Sequence, residues 1–472
     1  MAPVKKTVPL NHRGCCHVLL CESQRRGAVL IISLIFVLIF SALAVSMATL
    51  SGTNVQLASN QHKVGCAMAS TESGAEAMRY WLTRVEIPSS TPPSNYFGTI
   101  VDTLQTDLTD NSISNITVLI DGSILPVALD SANGQGFEGE LIIDGNNPNI
   151  LQVYATGGGS EITRTIKVHY DIEPYEYPIF DFGLATKGPV HFLGNPTIIG
   201  INSNSEADIF IESNNNNLAM LVTGNCNFDG NINVANPAAN VDLMGAVQIA
   251  GDTGQAAIDN HVTTGVESPE FPVPDTQHFL QYATGDVIDL STDLTSGMTL
   301  TNAKIESGTN PNFEGNITID GILYIEQPNT ITFERNVALN GMIVADGDVN
   351  SPGTNGMTFL GNFASNPYPP GAEFDEIRQE TGSSIVAPGF AASFAGNFAA
   401  LGGVMAVSGA HFSGNVSALV EGTILNYSDN PTVIEGNSTL NFDRSNNIKV
   451  PAGFDTHRIL TYNPASYEEL AN

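Results

Sequence analysis

The stretch Arg25-Arg26-Gly27 followed by AVLIISLIFVLIFSALAVSMATL (Ala28–Leu50) decides how the rest of the chain is read, because there a basic pair abuts a run with no ionisable side chain. The next group that can carry charge is His62. At ~1.5 Å per helical residue the 23 residues of the run reach about 34 Å, enough to cross a hydrocarbon core of about 30 Å. Upstream, Lys5, Lys6, Arg13, Arg25 and Arg26 stand against Glu22, a net of +4, whereas 12 basic and 47 acidic residues downstream give −35. The positive-inside rule then keeps the N-terminus in the cytoplasm. The bulk of the chain then lies on the far side of the membrane, behind a single pass.

A secretory signal peptide is cut after its apolar core, and Ala42-Leu43-Ala44 or Ser46-Met47-Ala48 would serve, but this core is longer than the usual ~7–15 residues. The pattern beyond it also continues. Val64, Met68, Thr71, Ala75, Met78, Leu82 and Val85 follow one another at steps of 4, 3, 4, 3, 4 and 3, one stripe of a helix, with Glu76 and Arg79 spaced as an i,i+3 pair. Pro88 is its natural stop. The reading is one helix over 28–86, greasy in its first half and amphipathic in its second, with room for a kink at Gly52 and Gly65.

The residues Gln24-Arg25-Arg26-Gly27-Ala28-Val29-Leu30-Ile31, with Ala69-Ser70-Thr71-Glu72-Ser73-Gly74-Ala75-Glu76-Ala77, resemble the N-terminal region of type IV pilin-like proteins, most closely the PilX-type minor pilin or pilus-assembly family. The resemblance implies a prepilin leader over 1–27, cut by a prepilin peptidase between Gly27 and Ala28. It also implies association with other pilin-like subunits through the helix that remains. Major pilins carry Glu at the fifth mature position, where this chain has Ile32, so the resemblance points to a tip, initiating or membrane-retained role rather than an ordinary shaft subunit.

Composition agrees with an extracytoplasmic β protein. Forty-five glycines and only 14% charged residues favour short strands and turns over surface helices. The net charge of −31 argues against a nucleic-acid partner, whose phosphates it would repel. Cys15, Cys16 and Cys21 fall in the leader, and Cys66 and Cys226 form no metal or disulfide pattern.

Pro88–Asp110 reads as a loop-rich connection. Then come strands at 116–120, 124–129, 138–143, 150–156 and 161–171, the last two a hairpin about Gly157-Gly158-Gly159. A small antiparallel sheet over 87–178, covered by the stripe through Met78 and Leu82, is the expected head. From about Phe180 a different rule governs. Phe-x-Gly-Asn occurs at Phe192, Phe228, Phe313, Phe359, Phe394 and Phe412, with looser copies at Val222 and Ile434; the six Phe copies are separated by 36, 85, 46, 35 and 18 residues. Intervals of about 18 and its double mark a solenoid, with Phe stacking from coil to coil, Gly at the corner and Asn laddering its amide. The expected fold class is therefore α+β then all-β: a long transmembrane and amphipathic helix, a small antiparallel sheet, then a right-handed parallel β-helix over 179–450. The Pro-rich segments 266–285 and 366–381 are expected as projecting loops, and 451–472 as a cap or tail.

A parallel β-helix raises the alternative of a polysaccharide lyase or hydrolase, which needs a basic residue beside carboxylates or a tight carboxylate cluster. Between Phe180 and Val450 the basic residues are Lys187, Lys304, Arg335, Arg378, Arg444 and Lys449, scattered, so no catalytic residue is assigned. Asp346-Gly-Asp348-Val-Asn350 starts like a calcium loop, but Ser351 and Met357 stand where Gly and Glu are needed, so it reads as a turn. His191, His261, His278 and His411 are singletons, and no metal or cofactor is assigned. The expected function is a non-enzymatic, membrane-anchored pilin-like subunit displaying its solenoid for adhesion or protein interaction, toward an extracellular protein or carbohydrate. The further alternative is a plain signal-anchored adhesin.

Overall fold

The computed structural model describes residues 26–470, except 133, 160, 215–216, 414–415 and 446–447. The first element is α1, Arg26–Leu82, a helix of 57 residues and so about 86 Å long, unbroken at Gly52 and Gly65. Its final turn closes at Leu82, four residues before the predicted end, because Glu86–Pro88 is drawn off as strand β1 with Ile87 buried in the head core. The docked face of α1 runs through Ala67, Ser70, Thr71, Met78, Trp81 and Leu82, so the predicted amphipathic half is present.

The connection predicted as a loop holds a second helix, α2, Tyr96–Asp110. Tyr96, Ile100, Val101, Leu104 and Leu108 are its buried stripe, at helical steps of 4, 1, 3 and 4. The head sheet follows with β2 (Ser123–Asp130), β3 (Gln135–Ile143), β4 (Ile150–Gly159) and β5 (Ile162–Pro174). The predicted hairpin of the last two pairs Ile150 with Asp171 through to Gly159 with Ile162. The predicted strand at 116–120 does not form; only an isolated bridge joins Val118 to Ile124.

The tail corrects the expected domain plan. His457–Leu470 is strand β6, which enters the head sheet antiparallel to β5, giving the order β1-β6-β5-β4-β3-β2. The expectation for 451–472 is a cap or tail on the last coil. Instead Leu460 is 1% exposed within the head core, and burying it there outweighs leaving it on an outer coil. Because β5 and β6 are neighbours, with Arg458 opposite Pro174, everything from about 175 to 456 is an insertion at one hairpin of the head.

That insertion is strand-rich and built from parallel sheets, which contain 9 and 19 strands in the described residues once the head is set aside. In the first sheet the rings of Phe313, Phe333, Phe359, Phe394 and Phe412 form one column, with successive centroids 5.0, 4.9, 4.8 and 5.3 Å apart and planes within 8°. Ile434, Phe192 and Val222 continue it in register. Phe228 does not belong to it: its strand, Asn227–Phe228, pairs with Thr197–Gly200 in the other sheet, and its ring meets Phe192 edge-on at 4.7 Å. Asn amides ladder between rungs, Asn316 Oδ1 accepting from the Asn336 backbone at 3.2 Å and Asn336 Oδ1 from that of Asn362 at 3.1 Å. At the corner Gly224 has φ +130°, and a Cβ there would lie 1.8 Å from the Gly194 carbonyl of the adjoining rung, so no side chain fits.

The rungs are not stacked in chain order. From Val190 the chain climbs through Leu218–Gly224 to Asn240–Met244. It then reappears at the far end near Asn312 and descends until Thr432–Gly436 lies parallel against Val190–Gly194. The last rung thus docks on the first. At this seam the Arg444 guanidinium donates to the Phe180 and Asp181 carbonyls, and Glu206 accepts the Arg444 backbone N–H at 3.0 Å. Asn202 Nδ2 donates to Asp443 at 2.9 Å.

This order explains the two Pro-rich segments, which lie flat rather than projecting. The first is the return strap. Phe271 packs on Phe210 and Tyr427, and Phe279 is fully buried on Ile322, Tyr324, Met342 and Val344. The second lays Phe374 and Ile377 on the same outer face. A sheet covered on both sides has no polar face, and accordingly every residue of Ser383–Ala387, Val404–Val407 and Leu184–Thr186 is buried.

Candidate assembly helix and its anchorage

Among the described residues the first half of α1 meets no other part of the chain. From Val29 to Leu57 its large apolar side chains are 46–69% exposed, an apolar surface far beyond what a water-facing helix shows. The hydroxyls of its apolar run bond back to the preceding turn: Ser33 donates to the Leu30 carbonyl at 2.9 Å, Ser41 to Val37 at 2.6 Å, Ser46 to Ala42 at 2.8 Å and Thr49 to Ser46 at 2.9 Å. From Val29 to Leu50 every side-chain hydroxyl is bonded inside the helix, which suits a segment bedded in lipid or among other apolar helices. Among the described residues this is the one helix long and apolar enough to cross a membrane. Ile32, where a major pilin has Glu, is half exposed and continues the apolar surface.

The predicted cleavage residues Gly27 and Ala28 sit in the first turn of α1, while the leader before Arg26 lies outside the described residues.

The second half is clamped to the head. Lys63 pairs with Glu161 beyond the end of β4 and holds that carboxyl below its ordinary range, through the hydrogen bond first and its charge second. Thr71 Oγ1 accepts the Gly157 N–H at 3.0 Å and donates to the Ala67 carbonyl at 2.8 Å. The approach is so close that a Cβ at Gly157 would lie 2.1 Å from the Thr71 nitrogen. Both partners are backbone and cannot yield, so Gly157→Ala is expected to cost about 1–3 kcal/mol. Gly145→Ala, with nothing within 4 Å, is the control. Equal thermal midpoints for the two variants would mean that the helix does not press on β4.

Elsewhere the predicted candidates stay apart. His261 pairs with Asp252 at 3.2 Å, His278 with Glu380 at 2.7 Å and His411 with Glu435 at 3.2 Å, each on a different rung or strap, and burial pushes His191 down. Asp346 is taken by Gln277 at 2.5 Å and Thr276 at 3.2 Å, and Asp348 by the Asn350 N–H at 2.9 Å, as a turn requires. Lys304, Arg378 and Lys449 each hold a separate carboxylate. No group of three potential metal ligands occurs among the described residues.

With that geometry in hand, comparison with known families finds the PilX N-terminal family over residues 26–76, which spans the exposed half of α1 and the start of its docked half. The chain thus has a type IV pilin-like N-terminal segment. Among curated proteins nothing matches. Among solved structures the chain is similar to the competence-associated pilin ComZ from Thermus thermophilus, at 11% identity and a TM-score of 0.21, over 86% of this chain and 97% of that one.

Proposed function

We propose that this chain is a non-catalytic, membrane-anchored minor-pilin-type subunit of a type IV pilus or a related secretion machine. Its α1 associates with other pilin-like subunits, and its acidic insertion, a right-handed parallel β-helix, is displayed outside the inner membrane for adhesion or protein interaction. The observation that carries the reading is the continuity of α1: one helix is wholly exposed and apolar in its first half and clamped to a folded head in its second. A signal peptide has no need of such rigidity beyond its cleavage site, whereas a subunit that must transmit its position from a membrane to a head does.

A prepilin peptidase would release the leader between Gly27 and Ala28. Mass spectrometry of the mature protein is expected to find Ala28 at the N-terminus, and Gly27→Leu to leave the full-length precursor. A terminus at Val45 or Thr49 would mean a conventional signal peptide and remove the pilin reading.

A further inference from the structure

On the outer side of the docked half of α1, a cavity of about 280 Å³ opens between the helix and strand β6. Its floor is apolar, made by Ile166, Val168 and Tyr170, and its rim carries Glu72, Glu76, Arg79, Tyr462 and Tyr467. Half of this rim already binds a guanidinium: Arg79 reaches back one turn to Glu76, with Nε 3.3 Å from the carboxylate, and lies 5.5 Å from the centre of the Tyr462 ring. That ring is braced in turn by Tyr170, with centroids 5.6 Å apart.

The other half repeats the same parts with the cation missing. Glu72 stands one turn before Glu76, and Tyr467 stands further along β6 than Tyr462. Glu72 has no ion-pair or hydrogen-bond partner among the described residues, and Tyr467, 44% exposed, has no ring or cation against its face. The position corresponding to Arg79, three residues after the carboxylate, is Ala75, whose methyl group leaves the space open. Glu72, Ala75 and Tyr467 line the same cavity, and the Tyr467 hydroxyl is pushed up by burial first, then by the charges of Glu469 and Glu72.

We propose that Glu72 and Tyr467, over the gap left by Ala75, form a binding site for a guanidinium group supplied from outside the chain. A carboxylate gives it charge-assisted hydrogen bonds and an aromatic face gives it cation–π contact, the pair of interactions Arg79 makes alongside. The guanidinium could belong to a free arginine-like molecule or to an arginine side chain of another protein, and the chemistry of recognition is the same.

The test uses the full mature chain in lipid nanodiscs and ligand-observed NMR with three probes: N-acetyl-arginine amide, its neutral isostere N-acetyl-citrulline amide, and a short end-capped peptide whose one charged residue is a central arginine. The arginine amide is expected to bind and the citrulline amide not to. Glu72→Gln and Tyr467→Leu should each weaken binding about tenfold, while Tyr467→Phe, which keeps the face, stays within about twofold. Ala75→Arg should abolish binding by filling the site from within. All three positions line the cavity at its open side, so the melting temperature should hold and separate loss of the site from loss of the fold. Tighter binding of the peptide than of the amide assigns the site to a protein partner, and equal binding to a small molecule. Equal signals from arginine and citrulline probes, or unchanged arginine binding by both Glu72→Gln and Tyr467→Leu, would overturn the proposal.

Discussion

A chain in which 176–455 is replaced by a short turn is expected to retain a fully folded head, whereas truncation after Phe180 is expected to destroy it, although apart from 176–180 the truncated chain differs only in lacking 456–472. The difference is β6. It lies between β1 and β5, so its loss strips β1 of its partner and turns the 13-residue β5 into a bare edge. Tyr170, now fully buried, and Ile172 lose the cover given by Leu460 and Tyr462. Burial of the single side chain Leu460 is worth ~1.5–3 kcal/mol, and the lost ladder and ring contacts add to that, against a whole-domain stability of about 5–15 kcal/mol. The excised chain keeps all of this, because Pro174 and Arg458 already face each other and the Tyr175 N–H reaches the His457 carbonyl at 3.0 Å, as two ends of a hairpin do. Trp81, the one tryptophan of the chain, is 8% exposed in the head core and reports the outcome directly. The excised chain should show blue-shifted emission and resist protease, and the truncated chain should do neither. Equal behaviour of the two would show that β6 is dispensable and that the insertion reading is wrong. The arrangement has a plain consequence: the body is tethered at both ends to neighbouring strands of the head, so its removal should leave α1 untouched.

What could be read without coordinates followed the range of the interactions concerned. The exposed half of α1 and the stripe through Met78 and Leu82 are local periodicities, and both are present. The Phe column was legible because each rung presents its ring at the same point of a short unit, yet Phe228 carries the same four-residue signature and sits in the other sheet; the signature marks a corner, and the rung has more than one. Phe333-Glu-Arg-Asn336 belongs to the column but has Arg where the motif demands Gly, so its sequence does not carry the signature. Helix α2 was hidden by Pro92-Pro93 before it and by threonines along its outer face, although its apolar steps were helical. The return strap and the pairing of β6 with β5 could not be read at all. Both join residues that lie tens to hundreds of positions apart, and local pattern carries no record of which rung meets which. One signal was available: Ile322-Leu-Tyr-Ile and Met342-Ile-Val-Ala are continuous apolar runs rather than alternations, which means both faces are covered. The candidate pocket was illegible for the same reason, since Glu72 and Tyr467 are brought together only by β6.

Phe359→Ala is expected to cost about 3–5 kcal/mol, near the top of that range, and Phe313→Ala about the same or somewhat less. Phe359 is 1% exposed and lies between Phe333 and Phe394, with planes 7° and 4° from its own, and Phe363 closes a third side at 5.0 Å. Neighbouring rungs are hydrogen-bonded above and below and cannot close over the lost ring, so its volume stays as a cavity. Phe313, at the end of the column, has one ring neighbour in it, at 5.0 Å, and more freedom to relax. In a stack each rung answers mainly to its neighbours, so the damage should stay in the body. Head and body share no core residue, since the cluster around Met78, Leu104 and Tyr170 is separate from that around Phe359. Denaturant unfolding followed by two signals tests both points: hydrogen-exchange protection of the amides of Asn312–Phe313, Thr330–Phe333, Gly356–Phe359 and Ala391–Phe394, which reports the body, should be lost at lower denaturant in each variant while the Trp81 transition holds. Leu360→Ala, at a side chain 48% exposed, should move neither by more than about 0.5 kcal/mol. A near-neutral result for both Phe313→Ala and Phe359→Ala would mean that the rings do not fill the interior, and a parallel shift of the Trp81 signal would mean that head and body unfold as one unit.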